Sequence, residues 1–191
     1  MNIGRRIIAN ELLLRWIAKS VEERVVCILE PRIMSKGLSQ LDRRYEAFWM
    51  KRKIQERPHA MVIVPKKWGA IQLVQFSEEY CSVVYIGKWK LAIVALYCSI
   101  KVDLSIIWKG VRKLVDEVDR VIVCVDSNAH SDKWGMDGVK CRVNRRGRVL
   151  EEIIEDIGLH VCNIGQKKGT YIGKRGEETC IDIILASGEC V

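Results

Sequence analysis

The sequence predicts a layered α/β domain, with two β-sheets packed face to face and helices outside them. Three observations predict it. Short apolar runs rich in Val and Ile recur along the chain, with glycines between neighbours (Gly69 and Gly87) where a meander would turn. Two longer amphipathic stretches interrupt the runs at helical spacing. The order is helix, meander, helix, strand, helix, strands, which suits sheets that bury one face on each other and the other under helices.

Taken in order, Arg6 to Glu23 has helical periodicity, with Ile8, Leu12, Trp16 and Ile17 near one face. Val25 to Leu29 is a short apolar strand closed by Glu30 and Pro31. The stretch from Arg32 to Arg57 is polar and reads as irregular. Strands follow at Ala60 to Val64, Ala70 to Phe76, Cys81 to Ile86 and Lys90 to Tyr97, predicted antiparallel. Leu104 to Val118 is an amphipathic helix, and Val121 to Val125 a buried strand. Gly147 to Ile157 is a helix stopped by Gly158. Leu159 to Asn163 and Thr179 to Leu185 are strands, with Thr170 and Tyr171 in a short one between them.

The 191 residues suit one domain spanning 1–191, nearly half of them hydrophobic, which argues against disorder. No apolar run approaches the roughly 20 residues that span a bilayer, so no membrane partner is expected. The net charge of +8 permits a polyanionic partner and equally a solvated surface. Its basic residues cluster at Lys51, Arg52, Lys53 and Arg57, at Arg142, Arg145, Arg146 and Arg148, and at Lys167, Lys168, Lys174 and Arg175, all in stretches that read as loops. The eight cysteines include no C-x-x-C pair. Cys27, Cys98, Cys124 and Cys162 fall in apolar runs, so buried free thiols in a reducing intracellular compartment, nuclear or cytoplasmic, are expected. His59, His130 and His160 have no zinc-finger spacing.

Polar residues end several apolar runs: Glu30 after Val-Val-Cys-Ile-Leu, Tyr97 after Leu-Ala-Ile-Val-Ala-Leu, and Asp126 and Asn128 after Val-Ile-Val-Cys-Val. Asp182 interrupts Thr-Cys-Ile-Asp-Ile-Ile-Leu. A carboxylate just past a buried strand sits at the rim of a sheet, where ligands of α/β folds collect. Singly, each such residue is as well explained as a turn-former or helix cap. Asp182 is harder to dismiss, because a carboxylate in mid-strand needs a partner or solvent.

The segment Val-Asp-Ser-Asn-Ala-His-Ser-Asp-Lys-Trp-Gly (125–135) resembles the Gly-Asp-Phe-Asn-Ala-His-Ser-x-x-Trp-Gly block of non-LTR retrotransposon endonucleases. Asn-Arg-Arg-Gly-Arg-Val-Leu-Glu-Glu (144–152), Leu-His-Val-Cys-Asn (159–163), Gly-Thr-Tyr (169–171) and Glu-Thr-Cys-Ile-Asp-Ile-Ile-Leu-Ala-Ser (178–187) resemble that family's following blocks, in the same order. Residues 2–13, Leu-Glu-Pro (29–31) and Ala-Leu-Tyr-Cys-Ser (95–99) resemble its opening strand and helix, its Ser-Glu-Pro and its tyrosine strand. The resemblance covers nearly the whole chain and is loosest between Arg32 and Lys90.

What the resemblance implies is specific. The fold would be the deoxyribonuclease I-like four-layer sandwich of two mixed, largely antiparallel sheets flanked by helices. The activity would be Mg²⁺-dependent (or Mn²⁺-dependent) hydrolysis of a DNA phosphodiester, in a longer polyprotein that also carries a reverse transcriptase. Glu30 would hold the metal with Asn2 as helper, and Asp126 would orient or deprotonate the attacking water. Asn128 and Tyr97 would reach the scissile phosphate. Thr170 and Arg146 would bind substrate, and Asp182 would line the site near the family's catalytic histidine.

Three departures accompany this, one being that the sequence begins almost on Asn2, which would leave the resembled first strand short. The family closes on a strand followed by Ser-Asp-His, a triplet that this sequence lacks. The resemblance thus implies a chain that stops before its last catalytic strand and has impaired activity, or a non-catalytic remnant that binds DNA through basic loops. A phosphatase of the same superfamily is a third, lower-ranked reading. The remaining departure is Val125-Asp126-Ser127 in place of Gly-Asp-Phe, which removes an aromatic beside the site.

Overall fold

The computed structural model describes residues 7–33, 38, 41–50, 58–139, 143–173 and 176–190. Helix α1 (Ile7–Lys19) opens the described chain, followed by strands β1 (Val26–Leu29), β2 (Tyr45–Phe48) and β3 (Ala60–Pro65). These strands form an antiparallel sheet in the order β1-β3-β2. Every residue of β3 is buried, as its apolar sequence Ala-Met-Val-Ile-Val-Pro requires of a central strand covered on both faces.

The second sheet begins with β4 (Ala70–Gln72), β5 (Cys81–Ile86) and β6 (Leu91–Tyr97), an antiparallel meander. Helices α2 (Leu104–Ile107) and α3 (Lys109–Glu117) then carry the chain to β7 (Arg120–Asp126), which pairs parallel with β6. A parallel pair needs such a crossover. After α4 (Arg145–Asp156) come β8 (Leu159–Val161), β9 (Tyr171–Ile172), β10 (Glu178–Thr179) and β11 (Asp182–Ser187). The large sheet has the order β4-β5-β6-β7-β11-β8, and β9 and β10 pair separately.

Three apolar clusters glue four layers together. Leu13, Leu14 and Ile17 of α1 pack on Ile28, Met61 and Ile63 of the small sheet. Cys27, Leu29, Ala60, Val62, Val84 and Ala95 fill the space between the sheets. On the far side of the large sheet, Trp108, Val111, Leu114 and Leu150 cover Val94, Val123 and their neighbours. Alternation along each strand produces this: in β6, Ala92, Val94 and Leu96 face the helices, whereas Ile93, Ala95 and Tyr97 face the other sheet.

Several expectations need correction. The face of α1 carrying Ile8, Leu12 and Trp16 is exposed, and only Ile17 of that predicted set is buried. The stretch 32–57 contains the strand β2, whose Tyr45 is buried. The predicted helix 104–118 is two helices, broken at Trp108, whose indole is driven fully into the core. The strand expected at 70–76 stops at Gln72, since Val74–Phe76 tightens into a single 3-10 turn that buries Phe76. Helix α4 starts two residues early, capped by the Asn144 side chain, and so takes Arg145 and Arg146 out of the loops. Cys162 is exposed.

Candidate active site

Alternation that turns Tyr97 toward the space between the sheets does the same for the ends of β7 and β11. Val121, Val123 and Val125 of β7 face the helices, so Asp126 takes the opposite face. Ile183 and Leu185 of β11 likewise leave Asp182 opposite them. The sheet register then aligns all three: Tyr97 pairs with Asp126 across β6 and β7, and Asp126 pairs with Asp182 across β7 and β11. Three residues scattered over 86 positions thus stand side by side at one end of the large sheet.

Glu30 ends β1 at the same end of the small sheet, where Leu29 pairs with Ala60. It adopts a left-handed backbone, φ 50°, and its N–H donates to the carbonyl of His59 at 2.8 Å. The ring of His59 stacks on that of Tyr97, with centroids 5.3 Å apart and planes 8° from parallel. Glu30 and Asp126 therefore lie at the same rim of the sandwich, joined through His59 and Tyr97.

The turn after Asp126 is tightly determined. The Asp126 side chain accepts the Asn128 N–H at 3.2 Å, and Asn128 takes a left-handed conformation, φ 47°, that asparagine tolerates well. The Asn128 amide donates to the Cys98 carbonyl at 3.2 Å, and the Cys98 N–H donates to the Asp126 carbonyl at 2.8 Å. Ser127, standing where the resembled block has an aromatic, is fully buried, and its hydroxyl donates to the Ile181 carbonyl at 2.7 Å. That bond stitches the turn to the approach of β11.

Arg146 braces the same turns from outside. Its guanidinium donates to the carbonyls of Ser99 (2.9 Å), Cys98 (3.1 Å), Val102 (3.4 Å) and Ser127 (3.4 Å). The geometry makes it a clamp on the loops that follow Tyr97 and Asp126. Gly147, the next residue, lets α4 approach the turn: a Cβ there would lie 1.9 Å from the His130 carbonyl oxygen.

Asp182 opens its strand instead of interrupting it. The Thr170 hydroxyl oxygen accepts the N–H groups of Ile181 and Asp182, both at 3.0 Å, where the chain leaves β10 and joins β11. Burial raises the pKa of the Asp182 carboxyl above its ordinary value, and the Thr170 hydroxyl partly offsets this by hydrogen bonding. One carboxyl oxygen, Oδ1, is buried with no hydrogen-bond partner. Asn163, two residues past β8, secures the strand, donating to the Asp182 carbonyl at 3.1 Å and accepting the Ile184 N–H at 2.7 Å.

The structure thus brings together Glu30, Tyr97, Asp126, Asn128, Thr170 and Asp182, while Asn2 lies outside the described residues. His160 is exposed in β8, and His130 lies in the loop after the Asn128 turn, its backbone bonded to Asn144. His59 was missed as a site residue because nothing in Arg-Pro-His-Ala marks it; only the fold sets it against Tyr97. Among the described residues no three His, Cys, Asp or Glu side chains form a metal cage. A single carboxylate such as Glu30 at this rim, with waters and substrate phosphate, is a donor set that Mg²⁺ accepts, because that ion keeps several waters and takes only one or two carboxylates.

The fold is shared with known nucleases. It is similar to the endonuclease domain of TRAS1, a telomere-specific non-LTR retrotransposon, with a TM-score of 0.82 and 21% identity over 99% of this chain and 84% of that one. It is also similar to the 3'-5' exonuclease NExo from Neisseria meningitidis (TM-score 0.63, 15% identity, 98% and 84% coverage). The Xenopus laevis APE2 catalytic domain matches with a TM-score of 0.64 and 12% identity over 98% of this chain and 81% of that one. These likenesses define a deoxyribonuclease I-like nuclease fold. The sequence model of the endonuclease-reverse transcriptase family matches residues 91–191, more than half of the chain. The chain belongs to that family. No curated protein matches its sequence. Among the described residues no helix is long and apolar enough to cross a membrane.

Proposed function

We propose that this chain is a divalent-metal-dependent DNA endonuclease of the retrotransposon type, which nicks target DNA by hydrolysing a phosphodiester. The observation that carries the reading is the alignment of Tyr97, Asp126 and Asp182 on three adjacent strands, at the same rim as Glu30. Glu30 would hold Mg²⁺ or Mn²⁺, with Asn2 as helper. A bound divalent ion supplies charge neutralisation at the phosphate and at the leaving oxygen.

The remaining work falls to the protein. Asp126 accepts the proton of the attacking water and is held for this by its own turn. The Asn128 amide and the Tyr97 phenol donate to the phosphate oxygens, where negative charge builds in the transition state. Asp182 lines the site, and the Thr170 hydroxyl fixes the strand that carries it. Arg146 acts through the loops it clamps. DNA is the substrate and a reverse transcriptase domain the natural companion, in the nucleus or cytoplasm.

A supercoiled-plasmid assay with Mg²⁺ tests the reading. Conversion to nicked circles that a chelator stops and Asp126→Ala abolishes is the expected result. DNA binding without nicking under any divalent ion would replace it with a non-catalytic, DNA-binding role.

A further inference from the structure

The four residues that define the rim come from two different sheets, and one side chain touches both halves. His59 precedes β3 in the small sheet, and its carbonyl holds the N–H of Glu30. Its imidazole lies nearly parallel to the ring of Tyr97 in the large sheet, and 4.8 Å from the ring of Tyr80, tilted by 34°. On the remaining side Nε2 stands 3.5 Å from a carboxylate oxygen of Glu79, whose carbonyl also accepts the His59 N–H at 3.4 Å. Glu79 and Tyr80 belong to the turn before β5, and Tyr80 accepts the Tyr97 N–H at 2.9 Å. The imidazole is therefore held on three sides by the large sheet and the turn before its β5, while the His59 carbonyl binds the end of β1 in the small sheet.

The χ2 torsion of a tyrosine is broad and roughly two-fold, so the orientation of a ring at a strand end is set by what packs against its face. Stacking aromatics contribute about 0.5–1.5 kcal/mol beyond simple burial, enough to select one ring orientation. A phenol that donates to a transition-state oxygen gains from being fixed beforehand, because no reorganisation is then needed during reaction.

We propose that His59 is a positioning residue of the active site: its ring fixes the Tyr97 phenol while its carbonyl holds Glu30, so that the two halves of the site keep their spacing. The inference rests on the nuclease reading for its catalytic consequence and on the stacked geometry alone for its structural one. His59 acts through Tyr97 and needs no contact with the phosphate.

The test compares the parent chain with His59→Phe, His59→Ala and His59→Leu, using steady-state nicking of a defined duplex and the aromatic NMR resonances of Tyr97. Loss of the stacked ring lowers kcat by about tenfold or more with KM within about twofold, since a small misplacement of a catalytic group acts on the chemical step. His59→Phe keeps the stack and stays within about threefold of the parent. The Tyr97 ring resonances move in the Ala and Leu variants and stay near the parent's in Phe. If Ala fails to fold, Leu, which keeps the bulk without the ring, decides. The proposal is overturned if Ala and Leu turn over like the parent, if Phe falls as far as they do, or if the Tyr97 resonances do not move. Should the parent itself not nick DNA, the nuclease reading fails, and the Tyr97 resonances alone still decide whether His59 holds that ring.

Discussion

Asp126 and Asp182 stand directly opposite one another across the antiparallel pair β7 and β11. Residues so placed have Cβ atoms about 5 Å apart. Asp126 is bound into its own turn, whereas Asp182 carries the unpartnered oxygen and the raised pKa that burial imposes. Two neighbouring carboxyls thus have different surroundings, the kind of difference that separates the tasks of such pairs in acid–base sites.

Replacing Asp182 by Asn separates function from stability. With its folded pKa above its unfolded one, the carboxyl favours folding only while protonated. That contribution is complete below the ordinary carboxylate value and is lost as pH rises through the raised one. Asp182→Asn is therefore expected to raise Tm relative to the parent at about pH 7 and to match it near pH 3. Nicking should fall about 100-fold or more. Thermal melts at the two pH values check the first part, and a parent that melts higher at neutral pH would refute it.

Arg146 offers a contrast between clamping and substrate contact. Arg146→Lys cannot reproduce a planar fork spread over four carbonyls and should cost about 1–3 kcal/mol in denaturant melts. The salt dependence of DNA affinity should keep its slope in Arg146→Met. A direct phosphate contact would instead lower that slope by about one.

Gly147 is required by space. A Cβ 1.9 Å from the His130 carbonyl forces α4 off the turn behind the site, so Gly147→Ala should destabilise by about 2–4 kcal/mol. Gly188→Ala meets nothing within 4 Å and should change stability by less than about 0.5 kcal/mol. Equal melting of the two variants would contradict this packing.

Helix α1 supplies a test of which face is buried. Leu13→Ala should cost about 2–5 kcal/mol, because Leu13 packs on the small sheet. Leu12→Gln, at a position 60% exposed, should leave the melt nearly unchanged. The reverse order would mean that the helix is rotated.

Much of this was legible in the sequence where local chemistry decides. The apolar runs marked β1, β3, β5, β6 and β7, since strands buried on both faces need continuous apolar sequence. The five ordered blocks from Val125 to Ser187 identified the family, and Glu30, Tyr97 and Asp126 were visible as polar ends of those runs. What the sequence hid depends on tertiary context. Ile8, Leu12 and Trp16 fit helical spacing as well as Leu13, Leu14 and Ile17 do, and only the small sheet chooses between them. Trp108 breaks a periodic stretch because its indole has a socket in the core. The Thr170 cap that parts β10 from β11 and the meeting of His59 with Tyr97 are long-range events with no local trace.

The seam between the two sheets is narrow in places, with Ala60, Ala95 and Cys27 among its members. Glu30 hangs from one wall of that seam, and Tyr97, Asp126 and Asp182 from the other. The distance between the two rims that carry these residues accordingly depends on the thickness of the side chains packed beneath them. A single added methylene at Ala95 would act as a shim, prising the walls apart and, on the proposed nuclease reading, altering turnover from beneath the site.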